Sequence, residues 1–74
     1  MTLDMIPKDV VARITSVELT DGQGLRLMEM GVVPGAPVRV IKSAPLGDPI
    51  QVCIRSYHLA LRRAEARSIT VTID

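Results

Sequence analysis

Two side chains in this sequence have the chemistry to hold a transition metal, Cys53 and His58. A closed structural site takes about four N or S donors, so this pair alone could make only a weak site or one shared with a second chain. The strand pattern described below turns Cys53 outward and sets His58 beyond a turn at Ser56–Tyr57, which reads as a surface thiol and a surface imidazole. A single cysteine also excludes an intramolecular disulfide and points to a reducing, cytosolic compartment. No catalytic set assembles around these residues. There is no Ser-His-Asp combination, no evident acid to orient the one histidine, and no GxxxxGK[ST] phosphate loop. The chain reads as a binding module rather than an enzyme, and no cofactor is called for.

Arg55, Arg62, Arg63 and Arg67 could form a basic rim, or a solvated face balanced by Glu65 and Asp74. Arg62 directly follows Leu61, whose side chain is expected inside, so backbone carbonyls could pin it. Residues 34–41 loosely resemble the KOW motif of ribosomal and transcription proteins. Single-strand binders, however, stack bases on aromatic rings, and Tyr57 is the only aromatic here. With a net charge of +1, no nucleic-acid partner is expected. The same shortage argues against a polyproline groove.

Apolar residues in turns carry a stronger signal. Pro45, Leu46, Gly47 and Asp48 lie in a loop bracketed by Pro45 and Pro49. It serves equally as a rigid connector and as a preordered docking element. Leu46 favours docking, because an apolar side chain at a loop tip needs either core or a partner. Val32 and Val33 raise the same question beside Pro34: one should cover the end of the fold and the other be exposed. With Leu25 and Met28 they could form a small apolar contact patch.

The elements that must hold these residues follow from periodicity. Apolar residues at Val10, Ala12 and Ile14, then at Val17 and Leu19, describe a strand with a phase slip, the mark of a bulge. Gly22 and Gly24 in the cluster Thr20–Gly24 are expected to stop that strand. Leu25–Met30 reads as a two-turn helix burying Leu27 and Met30, capped by Gly31. A turn at Val32–Gly35 leads to strand two, with Val38 and Val40 inward and Arg39 and Lys42 outward. Strand three has Ile50, Val52 and Ile54 inward, and Leu59 and Leu61 follow as strand. A helical turn over 62–67 precedes a last strand through Ile69, Val71 and Ile73. Residues 1–9 form a lead-in that either crosses the barrel or is loosely ordered. The expected fold is mainly β: a five-stranded SH3-like barrel with one short helix after the first strand and a helical turn before the last.

At 74 residues the chain has material for one core, and residues 1–74 are read as one domain. The first seven residues lack the basic and apolar regions of a signal peptide, and no apolar run approaches a bilayer span. The 47% apolar content is therefore assigned to the core.

Leu27-Met28-Glu29-Met30-Gly31-Val32-Val33-Pro34-Gly35-Ala36-Pro37-Val38-Arg39-Val40 resembles the LxxLGxxPGxxVxV segment of the FeoA family, ferrous iron transport protein A. Ser43 to Ile50 is similar to that family's aPlGdPi loop, and Leu59 to Ala66 with Ile69-Thr70-Val71 to its ending. Family glycines near Lys8–Asp9 and at Ser56 are absent here. The resemblance implies an SH3-like fold. It also implies a cytosolic accessory in bacterial ferrous iron uptake that acts by protein contact with the membrane transporter FeoB and its GTP-binding domain. Such a protein would be peripheral to the membrane through its partner, and self-association is compatible with it. Arg62 or Arg63 acting in trans on that GTPase rests on the same family context. The alternative is an SH3-like accessory that binds a transition metal ion or nucleic acid directly.

Overall fold

Alternation of inward and outward side chains produces five strands and one antiparallel sheet. The structure, a computed structural model, describes residues 1–19 and 22–73. Strands β1 (Val11–Val17), β2 (Pro37–Ser43), β3 (Ile50–Ile54), β4 (Tyr57–Leu61) and β5 (Ile69–Ile73) lie in the order β4-β3-β2-β1-β5. Helix α1 (Gly22–Glu29) follows β1, and the short α2 (Arg63–Ala66) joins β4 to β5. The curled sheet wraps one core, in which Ile14, Val38, Val52, Ile54, Leu61 and Ile69 are fully buried.

The phase slip in β1 is a register shift between Ile14 and Ser16 against β5. A second shift, between Val40 and Lys42, explains how Lys42 faces out although Val40, two residues earlier, faces in. Bulges of this kind bend strands and let a short sheet curl. Among the described residues β4 and β5 do not pair, so the barrel stays open there and α2 spans the gap.

Several local expectations need correction. Gly22 and Gly24 begin α1 rather than end β1, while Thr20 and Asp21 lie outside the described residues. Gly24 is required by proximity: a Cβ there would stand 2.2 Å from the Leu19 carbonyl oxygen. Leu27 is the buried anchor of α1, whereas Met30 lies beyond the helix end and is 37% exposed. Gly31 does terminate the helix with φ +101°, as its cap position requires. The β3–β4 turn is Arg55–Ser56, one residue earlier than expected, since Ile54 pairs with Tyr57. The two missing glycines have counterparts in backbone geometry, for Asp9 and Arg55 both carry positive φ (+66° and +56°).

The lead-in crosses the barrel. A 3-10 turn at Leu3–Met5 buries Leu3 completely, and Ile6 joins the same core. Thr2 bridges Thr70, and the Val71 N–H donates to the Met1 carbonyl at 2.8 Å, so the lead-in covers the outer edge of β5. An otherwise unpaired strand edge is thereby blocked.

Candidate functional site

The 44–49 loop joins β2 to β3 and is fixed from several sides. The Gly47 N–H donates to the Ala44 carbonyl at 2.7 Å, closing a four-residue turn with Pro45 in its second position and Gly47 in its last. Proline presets the backbone there, and Gly47 leaves the turn at φ +85°. The Ala44 N–H closes the loop base on the Pro49 carbonyl at 3.0 Å, and the Asp48–Pro49 peptide is cis.

Arg63, from α2, ties the loop to the body. Its Nε donates to the Gly47 carbonyl at 2.9 Å, and its backbone N–H donates to Asp48 Oδ1 at 3.0 Å. Its Nη1 reaches the Asp4 carbonyl in the lead-in at 3.4 Å. What emerges from this frame is Leu46, 97% exposed at the tip. A leucine held in water by a fixed backbone keeps about 1.5–3 kcal/mol of burial energy in reserve for whatever covers it.

The other candidates divide. Val32 is 0% exposed and belongs to the core, so it offers nothing to a partner, and Val33 is half-buried against that core. The apolar patch therefore shrinks to α1, where Leu25 and Met28 are 57% and 49% exposed.

The four arginines do not form one rim. Arg63 is half-buried and engaged by carbonyls, the role expected of Arg62, which is instead exposed at the start of α2. Arg67 lies 3.6 Å from the Asp4 carboxylate. Arg55 sits in the β3–β4 turn, at the opposite end of β3 from the loop, roughly 15 Å away at the usual strand rise. Asp74, expected as a counter-charge, lies outside the described residues.

Cys53 and His58, by contrast, come together. They are directly opposite each other on β3 and β4, and Arg39 of β2 opposes Cys53 on its other side. Cys53 Sγ also contacts the Arg55 carbonyl at 3.3 Å. Among the described residues no three His, Cys, Asp or Glu side chains gather into a metal-sized group.

Arg63 is the candidate residue whose place the sequence shows least well. Helical composition brought it to notice as a rim cation, but its contacts depend on the 44–49 loop folding back onto α2. Glu65 was read only as a rim counter-charge. It is buried, receiving the Arg62 N–H on one oxygen at 2.7 Å and Gln23 Nε2 on the other.

The FeoA domain model matches residues 1–73. The solution structure of the FeoA protein from Chlorobium tepidum superposes with a TM-score of 0.94 at 42% identity, over 99% of this chain and 70% of that one. Stenotrophomonas maltophilia FeoA complexed with zinc, described as an SH3 domain protein, gives 0.84 at 35% identity over 96% and 88%. An Fe(2+) transport protein A/Fe(2+) transporter FeoB fusion protein from Porphyromonas gingivalis is 39% identical over 56 residues, 72% of this chain. The chain spans only 7% of that relative's length. With the curled five-stranded sheet and the family's loop both in place, this chain belongs to the FeoA domain family.

Proposed function

We propose that this domain serves ferrous iron uptake from the cytosolic side of the membrane, by docking its 44–49 loop on the GTP-binding domain of the transporter FeoB. The observation that carries this reading is Leu46, 97% exposed on a loop fixed by the Ala44 turn and by Arg63. A preordered apolar tip docks without paying for loop ordering. The fusion of transport protein A to FeoB in the Porphyromonas relative supports the choice of partner. Leu25 and Met28 on α1 form a second, lesser contact surface.

Titrating this domain against the cytosolic domain of FeoB, by calorimetry, tests the reading. Leu46→Asp should weaken binding by roughly 2–3 kcal/mol, since it removes one anchor and sets a charge against an apolar site. Absence of binding by the unaltered chain, or unchanged binding by the variant, sinks the proposal. GTP hydrolysis by the same partner, with and without this chain, tests Arg62 as a trans-acting group, because the Arg63 guanidinium already contacts the Gly47 and Asp4 carbonyls.

Direct metal binding is a second reading, favoured by one observation, the cross-strand pairing of Cys53 with His58. Two donors leave a first-row metal coordinatively open, so the expected affinity is low unless a second chain completes the site. Zinc titration of the wild type and of Cys53→Ser measures it directly.

A further inference from the structure

A cleft of about 150 Å³ opens at the base of the 44–49 loop, between the lead-in and the ends of β2 and β3. Its floor is apolar, formed where the core comes close to solvent at Ile6 and Val40, with Leu3 and Ile50 beside them. Lys8, Lys42 and Arg63 stand around it. The one acid in the lining, Asp4, is already engaged: the Thr2 hydroxyl donates to its carboxylate and Arg67 lies 3.6 Å away. The nearest loop acid, Asp48, accepts the Arg63 backbone N–H. The Arg63 guanidinium is held by the Gly47 and Asp4 carbonyls, so the cleft presents the exposed Lys8 and Lys42 beside an apolar pit, on a chain whose net charge is only +1.

We propose that this cleft receives a short acidic segment of the protein partner, with one apolar side chain in the pit and flanking carboxylates on Lys8 and Lys42. Three observations select that occupant. A cavity of about 150 Å³ accepts an object the size of a benzene ring, hence one leucine or phenylalanine side chain. It is too small for a drug-sized ligand or cofactor, which occupies about 300–1,000 Å³. The cations lie around the rim, where carboxylates beside the buried side chain would meet them. Finally, Ser43 and Ile50, which line the cleft, pair with each other as the roots of the loop that carries Leu46. Loop tip and cleft form one continuous surface. The inference rests on the docking reading above and adds the partner's chemistry to it.

The test uses the full chain and a peptide, acetyl-Asp-Leu-Glu-amide, followed by NMR shifts. Saturable shifts confined to residues around Ile6, Val40 and Ile50 are expected. The uncharged acetyl-Asn-Leu-Gln-amide and the alanine-centred acetyl-Asp-Ala-Glu-amide should each bind at least about fivefold more weakly, and raised salt should weaken the acidic peptide. Charge reversal by Lys8→Glu with Lys42→Glu, both at exposed positions, should cost at least about tenfold. No saturable shift up to roughly 2 mM peptide, equal binding of the uncharged peptide, or a preference for phosphatidylserine vesicles overturns the proposal. Against the intact FeoB cytosolic domain the two ideas separate. Loss of binding with Leu46→Asp but not with the lysine reversals removes the cleft and leaves the loop. Loss with neither removes both.

Discussion

Arg55 holds a left-handed backbone in a two-residue turn, with φ +56°. Its neighbour Ser56 does not share the positive φ, so the first central residue alone carries the strain, as in a type II′ hairpin where glycine is preferred. A non-glycine residue in that region costs on the order of 1–3 kcal/mol. Glycine would remove most of that cost but would lose about 0.5–1 kcal/mol through the greater freedom of the unfolded chain. Arg55→Gly should therefore stabilise the domain by about 0.5–1 kcal/mol, a rise of roughly 2–8 °C in Tm for a chain this size. A fall in the calorimetric midpoint would mean that the Arg55 side chain makes a contribution larger than the strain. Asp9, at φ +66°, is the milder case, because a short polar side chain tolerates that region.

At the scale of elements, α1 is attached lightly. Leu27 is its one fully buried apolar side chain, and Gly24 lets its first turn close on the Leu19 backbone. A third tie is the hydrogen bond from Gln23 to Glu65 of α2, whose carboxylate also accepts the Arg62 N–H. Glu65 thus couples the two helices through a buried charge whose two oxygens are both engaged. A double-mutant cycle with Gln23→Ala and Glu65→Ala should give a coupling energy of about 1–2 kcal/mol, measured by urea unfolding. Additive effects within about 0.3 kcal/mol would show that the helices are held independently. This tie was not legible in the sequence, and the reason is physical. Strands announce themselves through alternation, and Gly31, Gly35 and Gly47 through turn chemistry, because both are local. The bulge after Ile14 was legible as a slipped phase for the same reason. The start of α1 was misread because glycine is normally a breaker, while Gly24 is needed for a close approach that only the folded chain creates. That Val32 rather than Val33 is the buried one was not legible, because nothing local says which of two adjacent valines faces the core. The carbonyl contacts of Arg63 and the cross-strand pairing of Cys53 with His58 are not legible, because loop return and strand register decide them.

For the whole molecule, the decisive feature is the lead-in, which does three jobs within residues 1–9. It fills the core with Leu3 and Ile6, shields the β5 edge at Thr70 and Val71, and forms one wall of the cationic cleft. A 74-residue domain has net stability of only a few kcal/mol, so a segment that buries two large side chains is part of the fold rather than an appendage. Leu3→Ala should cost about 2–4 kcal/mol, since the side chain is completely buried. The pattern of that loss distinguishes a local from a global effect. If the lead-in is a separable strap, the Val71 amide, which donates to the Met1 carbonyl, loses hydrogen-exchange protection first, while the Ile14 amide in β1, bonded to the Ala36 carbonyl, keeps the protection of the global fold. The uncovered β5 edge would then pair with another copy, and size-exclusion chromatography would become concentration-dependent. If Val71 and Ile14 lose protection together and the variant stays monomeric, the lead-in and barrel fold as a single cooperative unit and the strap description fails.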